Sequence, residues 1–116
     1  MRRGEVWLVN LDPTQGAEMR KTRPAVIVSS DLVGVLPLRV IVPLTDWKDR
    51  YGLAPWMVRV KASPQNGLEK DSAADCFQMR SLSVRRLVRK LGDLTEDEMT
   101  QIQGGMAVVL ELDLEG

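Results

Sequence analysis

The chain has 116 residues, 16 basic and 16 acidic side chains, and no histidine. That length bounds it to one domain, residues 1–116, with a real core but little margin. The missing imidazole excludes Ser-His and Cys-His nucleophile systems, imidazole acid–base chemistry and histidine metal ligands. No Walker-type glycine loop is present. No window approaches the roughly 20 apolar residues that span a bilayer, and the N-terminus lacks the apolar core of a signal peptide. The single cysteine, Cys76, has no partner for an internal disulfide, which fits a reducing cytoplasm, and it reads as a small buried hydrophobe. Any catalysis must therefore draw on arginine, lysine, hydroxyls or carboxylates.

The zero net charge hides a division. Residues 1–90 hold all 16 Lys and Arg against 9 acids, a surplus of +7, whereas residues 91–116 hold 7 acids and no base. A basic body is the footprint of a protein that meets phosphates; the acidic end reads mainly as a solvated helix face.

Taken in order, residues 5–11 form a first strand with apolar side chains on both faces, as in a central strand or small barrel. A polar loop follows, broken by Asp12-Pro13 and Gly16, and it crowds Arg20, Lys21 and Arg23 together just before a second strand at 25–30. It exceeds an ordinary hairpin connection. Pro24 steers Arg23 into extended backbone, so that arginine keeps a fixed direction at the mouth of a strand. A third strand is expected at 38–44, with Pro43 near its end or on an edge. A second polar loop carries Trp47, Lys48, Arg50 and Tyr51. Residues 56–61 alternate as a half-solvated strand with Trp56 on the core side, and 63–67 is a turn. Residues 72–79 read as a further strand. Residues 84–91 remain open between a helix and a short turn followed by a strand at 87–91, with Gly92 ending either version. Thr95 and Glu98 form a capping box, and Met99, Ile102, Met106, Val109 and Leu110 recur at helical spacing, predicting a helix from about 96 to 110. Gly104 and Gly105 inside it cost roughly 1 kcal/mol each against alanine, for which close approach to the sheet is one compensation. About five strands with a terminal helix point to a mainly β protein, a strongly bent sheet or partly open barrel with the C-terminal α-helix packed on it.

A basic surface is not sufficient evidence of a phosphate target, but the chemistry open to a site without histidine or an evident metal can be worked through on an RNA backbone. Cleavage by the neighbouring 2′-hydroxyl needs proton transfer and cations around a charged phosphorane, a role that suits the forked arginine side chain. Arg23 is the leading candidate, with Arg20 and Lys21 adding field; three solvated loop charges is the plainer alternative. Thr45 follows the third strand, where most threonines merely cap turns. The cluster Arg80, Arg85, Arg86, Arg89 and Lys90 reads either as an RNA- or acid-binding face or as a solvated helix face. Trp47, among loop charges, is the better surface candidate for base stacking, and Trp56 the better core candidate.

Arg3-Gly-Glu-Val-Trp-Leu-Val-Asn-Leu-Asp-Pro-Thr-Gln-Gly-Ala-Glu18, then Lys21-Thr-Arg-Pro-Ala-Val-Ile-Val-Ser29, resembles the N-terminal signature of the MazF/PemK (Kid) toxins. Val42-Pro-Leu-Thr45, Gly67-Leu-Glu-Lys-Asp-Ser72, Gln78-Met-Arg80 and Leu91-Gly-Asp-Leu94 resemble later blocks of the family in the same order. The resemblance implies the SH3-like small barrel shared with CcdB. It also implies a toxin of a type II toxin–antitoxin module: a metal-independent, cofactor-free, sequence-specific endoribonuclease of the cytoplasm. Such enzymes cleave single-stranded mRNA to 2′,3′-cyclic phosphate and 5′-hydroxyl ends, which stops translation and growth. The working unit implied is a homodimer with RNA across its interface, inhibited by a MazE-like antitoxin with an acidic disordered tail. By this resemblance Arg23 acts on the 2′-hydroxyl proton and the phosphate charge, and Thr45 assists. Glu18 and Gln78 fall near the RNA groove, beside Arg20, Lys21, Trp47 and Arg80. Ala17 replaces a hydroxyl residue found in some members, so their base preference does not transfer. Two other classes compete: a CcdB-like gyrase poison acting through its C-terminal helix, against which stands the acidic, non-aromatic ending at 112–116, and a non-catalytic SH3-like binding module.

Overall fold

The computed structural model describes residues 1–113, so the last three residues of the acidic ending lie outside it. Seven strands and one helix are present among the described residues: β1 (Glu5–Asn10), β2 (Thr22–Ile27), β3 (Leu38–Asp46), β4 (Met57–Val60), β5 (Ser72–Asp75), β6 (Arg80–Ser83), β7 (Leu87–Asp93) and α1 (Glu96–Leu110). All pairing is antiparallel, in the order β4-β5-β3-β2-β1-β7, with β6 also on β3. The sheet is bent but not closed, since the path ends at β4 and β7.

β3 organises the bend. It pairs with β2 through Ile41, Val42 and Pro43, with β6 through 38–41, and with β5 through Leu44, Thr45 and Asp46. The expectation that Pro43 sits near the strand end or on an edge is therefore corrected. Pro43 is buried in mid-strand, after the last residue paired with β6 and before the first paired with β5. A residue without an N–H is tolerated at such an interruption of the ladder.

Strand alternation buries both sheet faces, as expected for β1. Val26, Val28, Val42 and Leu44 face one cluster with Val60, Ala74 and Ile102, against which Met99, Met106 and Val109 of the helix pack. Ala25, Ile27 and Ile41 face a second, with Val9, Leu11, Leu82 and Leu87. Two irregularities in the β1–β7 register let the strands coil around these centres.

The helix occupies the expected span, and both halves of its capping box form. Only one of its glycines explains itself by contact. A Cβ on Gly105 would lie 2.7 Å from the Cys76 sulfur and 2.9 Å from Val58 Cγ2, whereas one on Gly104 meets nothing within 4 Å among the described residues. Burial pushes the Cys76 thiol up to about 12, so this group behaves as packing.

Several expectations change. Residues 72–79 are not one strand: β5 stops at Asp75, whose carboxylate caps the turn Cys76–Gln78, and β6 begins at Arg80. Residues 84–91 resolve into a turn, Val84–Arg86, then β7, which continues through Gly92 to Asp93. The basic cluster is thus not a helix face, and strand alternation divides it. Trp56 precedes β4 and is 38% exposed, not core. No helix among the described residues is long and apolar enough to cross a membrane.

Arg39 anchors an exposed apolar loop, donating to the carbonyls of Met1, Gly34, Leu36 and Leu38 at 2.8–3.2 Å. Leu32 and Val35 on that loop are 93% and 90% exposed.

Gly104→Ala should raise stability by about 1 kcal/mol through helix propensity. Gly105→Ala should lower it by about 1–3 kcal/mol through overpacking against Cys76 and Val58. Denaturant midpoints with unchanged slopes would verify both. Glu5 gives a pH prediction. Burial raises its carboxyl, but hydrogen bonds from the Trp7 indole and Arg2 backbone, with the N-terminal ammonium, outweigh this and hold it below the ordinary 4.5. The stability it contributes is complete above pH 4.5 and is lost as pH falls through the lowered value. The stability gap between wild type and Glu5→Gln should accordingly be full at pH 7 and close on acidification, measured by urea unfolding across that range.

Candidate nucleic-acid cleavage site

The loop from 11 to 21 is closed at its neck by backbone and side-chain bonds. Leu11 N–H donates to the Lys21 carbonyl at 2.9 Å, and Lys21 N–H donates to Asp12 Oδ1 at 3.0 Å. These bonds hold Lys21 at a φ of 69°, a left-handed conformation that side chains other than glycine adopt rarely. The turn at Lys21 leaves the Arg20 carbonyl facing back over β2, where it accepts from Arg23 Nε at 3.0 Å. Arg23 lies within β2, opposite Val9 of β1, in the extended backbone that Pro24 favours.

The β2–β3 register then decides the partner. Ala25 lies opposite Pro43, and continuing that register by two residues sets Arg23 opposite Thr45. The two side chains project on the same face, and Arg23 Nη1 donates to Thr45 Oγ1 at 3.5 Å, a long contact. Both are partly buried. Arg23 has five N–H donors, and most remain available to an anion. Among the described residues its partners within hydrogen-bond reach are the Arg20 carbonyl and the Thr45 hydroxyl.

A cavity of about 370 Å³ lies on this same face, lined by Leu11, Met19, Pro43 and Met79 with Glu18 and Arg80. Gln78 fastens its rim. The Gln78 side-chain oxygen accepts from Met19 N–H at 2.6 Å, and its nitrogen reaches the Asp75 carboxylate at 3.3 Å and the Ala17 carbonyl at 3.5 Å. Arg80 donates to the Leu11 carbonyl at 3.3 Å and lies 3.8 Å from the Glu18 carboxylate. Arg86 donates to the carbonyls of Asn10 and Asp12. Two arginines of the basic cluster are therefore tethers of the 11–21 loop. Lys90 instead pairs with Asp93 and Glu5, at 3.1 and 3.6 Å.

The structure thus brings Arg23 and Thr45 together, and Glu18, Gln78 and Arg80 together beside them. Arg20 and Lys21 are exposed on the same loop. Trp47 is the exception. It follows β3 but is packed more than displayed, with the Arg59 guanidinium 5.1 Å over its ring and Tyr51 edge-on at 6.0 Å. Its indole N–H is buried without a partner among the described residues. Phe77, which drew no attention in the sequence, is 69% exposed and borders the cavity. The signal for it was a phenylalanine directly beside Gln78; the bend that points it outward was hidden in an apparent strand.

These features define a small β-rich protein with an arginine–hydroxyl pair on the same sheet face as an amphipathic groove whose lining includes Pro43, two residues before Thr45. The sequence matches the family described as PemK-like, MazF-like toxins of type II toxin-antitoxin systems over residues 2–110. It is 35% identical to an endoribonuclease MazF9 of Mycobacterium tuberculosis, covering 97% of this chain and 98% of that protein. A MazF from Deinococcus radiodurans has the same fold, with a TM-score of 0.81 at 24% identity and 97% of each chain covered. A mycobacterial endoribonuclease solved with its cognate antitoxin has a TM-score of 0.77 at 23% identity, again over 97% of each chain. The chain belongs to the PemK/MazF family of type II toxin–antitoxin toxins.

Gln78→Ala removes the acceptor of Met19 N–H, one further tie to the loop at the Ala17 carbonyl, and the contact to Asp75. Amide exchange at Met19 should rise about tenfold or more while exchange in α1 stays unchanged, as hydrogen-exchange mass spectrometry would resolve.

Proposed function

We propose that residues 1–116 form one endoribonuclease domain that cleaves single-stranded mRNA in the cytoplasm, without a metal or cofactor, and so stops translation. The observation that carries this reading is the Arg23–Thr45 pair, set by strand register on the same face as a groove lined by Arg80 and Glu18. Family membership and the 35% identity to an endoribonuclease support it independently.

In the proposed reaction the RNA 2′-oxygen attacks the adjacent phosphorus and loses its proton. The phosphorus–O5′ bond breaks, and O5′ takes up a proton. The products are a 2′,3′-cyclic phosphate and a 5′-hydroxyl. Charge accumulates on the non-bridging oxygens at the phosphorane, and the Arg23 guanidinium answers it with fixed, permanently charged donors. Because Nε is already held by the Arg20 carbonyl, the guanidinium is oriented before substrate arrives and little reorganisation opposes the step. Thr45 lies within reach of both the guanidinium and a phosphate held by it, and it positions a phosphate oxygen or relays a proton. Arg20 and Lys21 add field on the approaching backbone.

The same cationic groove suits an acidic, disordered antitoxin tail, which would occupy it by charge mimicry. A homodimer is also part of this reading. Leu32, Val33, Val35, Leu36 and Leu38 form an exposed apolar run held in place by Arg39, the kind of surface that a second copy covers.

Cleavage of a mixed single-stranded RNA pool should persist in excess EDTA. Arg23→Ala should reduce kcat by about 100-fold or more. Thr45→Val should reduce it by about tenfold to 100-fold, with melting temperatures near wild type. Cleavage abolished by EDTA, or an Arg23→Ala enzyme as fast as wild type, would contradict the mechanism.

A further inference from the structure

We propose that Phe77 is the base-stacking platform of the groove and sets which nucleotide is accepted beside the scissile phosphate. This rests on the endoribonuclease reading.

Phe77 is 69% exposed in the turn between β5 and β6, the one phenylalanine of the chain. Its backbone is not loose. The Asp75 carboxylate accepts from Phe77 N–H at 3.1 Å and closes the turn Cys76–Gln78, and the neighbouring Cys76 is fully buried against α1. A rigid backbone that displays an aromatic ring loses little entropy when a planar group stacks on it. The ring also stands between two openings. It borders the 370 Å³ cavity that holds Glu18 and Arg80, and a second of about 380 Å³ lined by Trp56, Asp75, Val108 and Val109. The second cavity brings another aromatic ring, Trp56, 38% exposed, onto the same surface. Aromatic platforms flanked by cations are how proteins hold unpaired bases.

The position along the strand selects the nucleotide. Pro43, in the lining of the first cavity, precedes Thr45 by two residues on the same face of β3, about 7 Å along the strand. A base seated there belongs to a nucleotide next to the one being cut. Glu18 and Arg80 then offer an acceptor and a donor to its edge. Gln78 is less able to read a base, because its oxygen and nitrogen already hold the loop. This divides the roles of two adjacent residues: Phe77 meets the base and Gln78 positions the loop around it.

The test compares wild type, Phe77→Ala, Phe77→Leu and Phe77→Tyr on short single-stranded RNAs carrying one abasic position at a time, with 5′-end sequencing of products from a mixed pool. Removing one stacked base should cost about tenfold in KM or more. Phe77→Ala and Phe77→Leu should show that loss with kcat within about twofold, Phe77→Tyr should retain binding, and one abasic position adjacent to the cut should penalise wild type but not Phe77→Ala. Base preference at that position should relax in the alanine variant. Equal KM for wild type and Phe77→Ala, or full retention by Phe77→Leu, overturns the stacking role. So does unchanged cleavage with lost affinity for an acidic peptide, which would assign the ring to a protein partner. A wild-type enzyme that cuts no RNA refutes the underlying reading instead, so the two failures are distinguishable.

Discussion

The β2–β3 register is the constraint on which the site depends. Side chains alternate along a strand, so a slip of one residue would exchange every inward and outward position. In the register found, with Ala25 opposite Pro43, valines of both strands face α1 while Arg23 and Thr45 share the other face. Burial thus enforces the geometry of this pair: the apolar residues that cannot be moved to water fix which polar residues meet. The interruption around Pro43 lets β3 pass from β6 to β5 with Thr45 in a paired strand segment, opposite Ala73, and not in a free loop.

Arginine serves two purposes in this basic body. Arg3 donates to the Val28 carbonyl, Arg39 to four carbonyls, and Arg80 and Arg86 to three on the 11–21 loop and the residue before it. Loop carbonyls that find no strand partner are satisfied by a donor that keeps its charge at any ordinary pH. Much of the surplus positive charge is consequently structural, yet it remains close to the groove and still contributes to its field. A chain without histidine loses pH-tunable chemistry and gains a site whose electrostatics vary little near neutrality.

What the sequence disclosed follows the same physics. The helix was legible because its signals are local: Thr95 and Glu98 three residues apart, and apolar positions at helical spacing. The two-faced burial of β1 and the loop charge at Arg20, Lys21 and Arg23 were legible for the same reason. The strand β7 was not, because Val84, Leu87, Val88 and Leu91 satisfy helical spacing as well as strand burial, and only pairing with β1 decides between them. Trp56 was misread because alternation predicts a face but not what covers it. The turn Cys76–Gln78 was hidden since its cap, Asp75, is also an acceptable strand residue. Thr45 was reachable through family resemblance alone, since its link to Arg23 spans 22 residues and exists only through register.

The groove itself joins two stabilities. Its floor, Leu11, Pro43 and neighbouring residues of the second core cluster, belongs to the least deformable part of the sheet. Its rim is an 11–21 loop closed by one backbone bond at its neck and held by side-chain bonds, two of them to a single glutamine. Local opening energies follow such differences, so the rim can yield to a strand of RNA or to an acidic tail while Arg23 and Thr45 stay in register. The Arg23–Thr45 pair is held in the sheet, whereas Arg20 and Lys21 ride on a tethered loop. By that division a local opening of the loop leaves the pair beneath it in register.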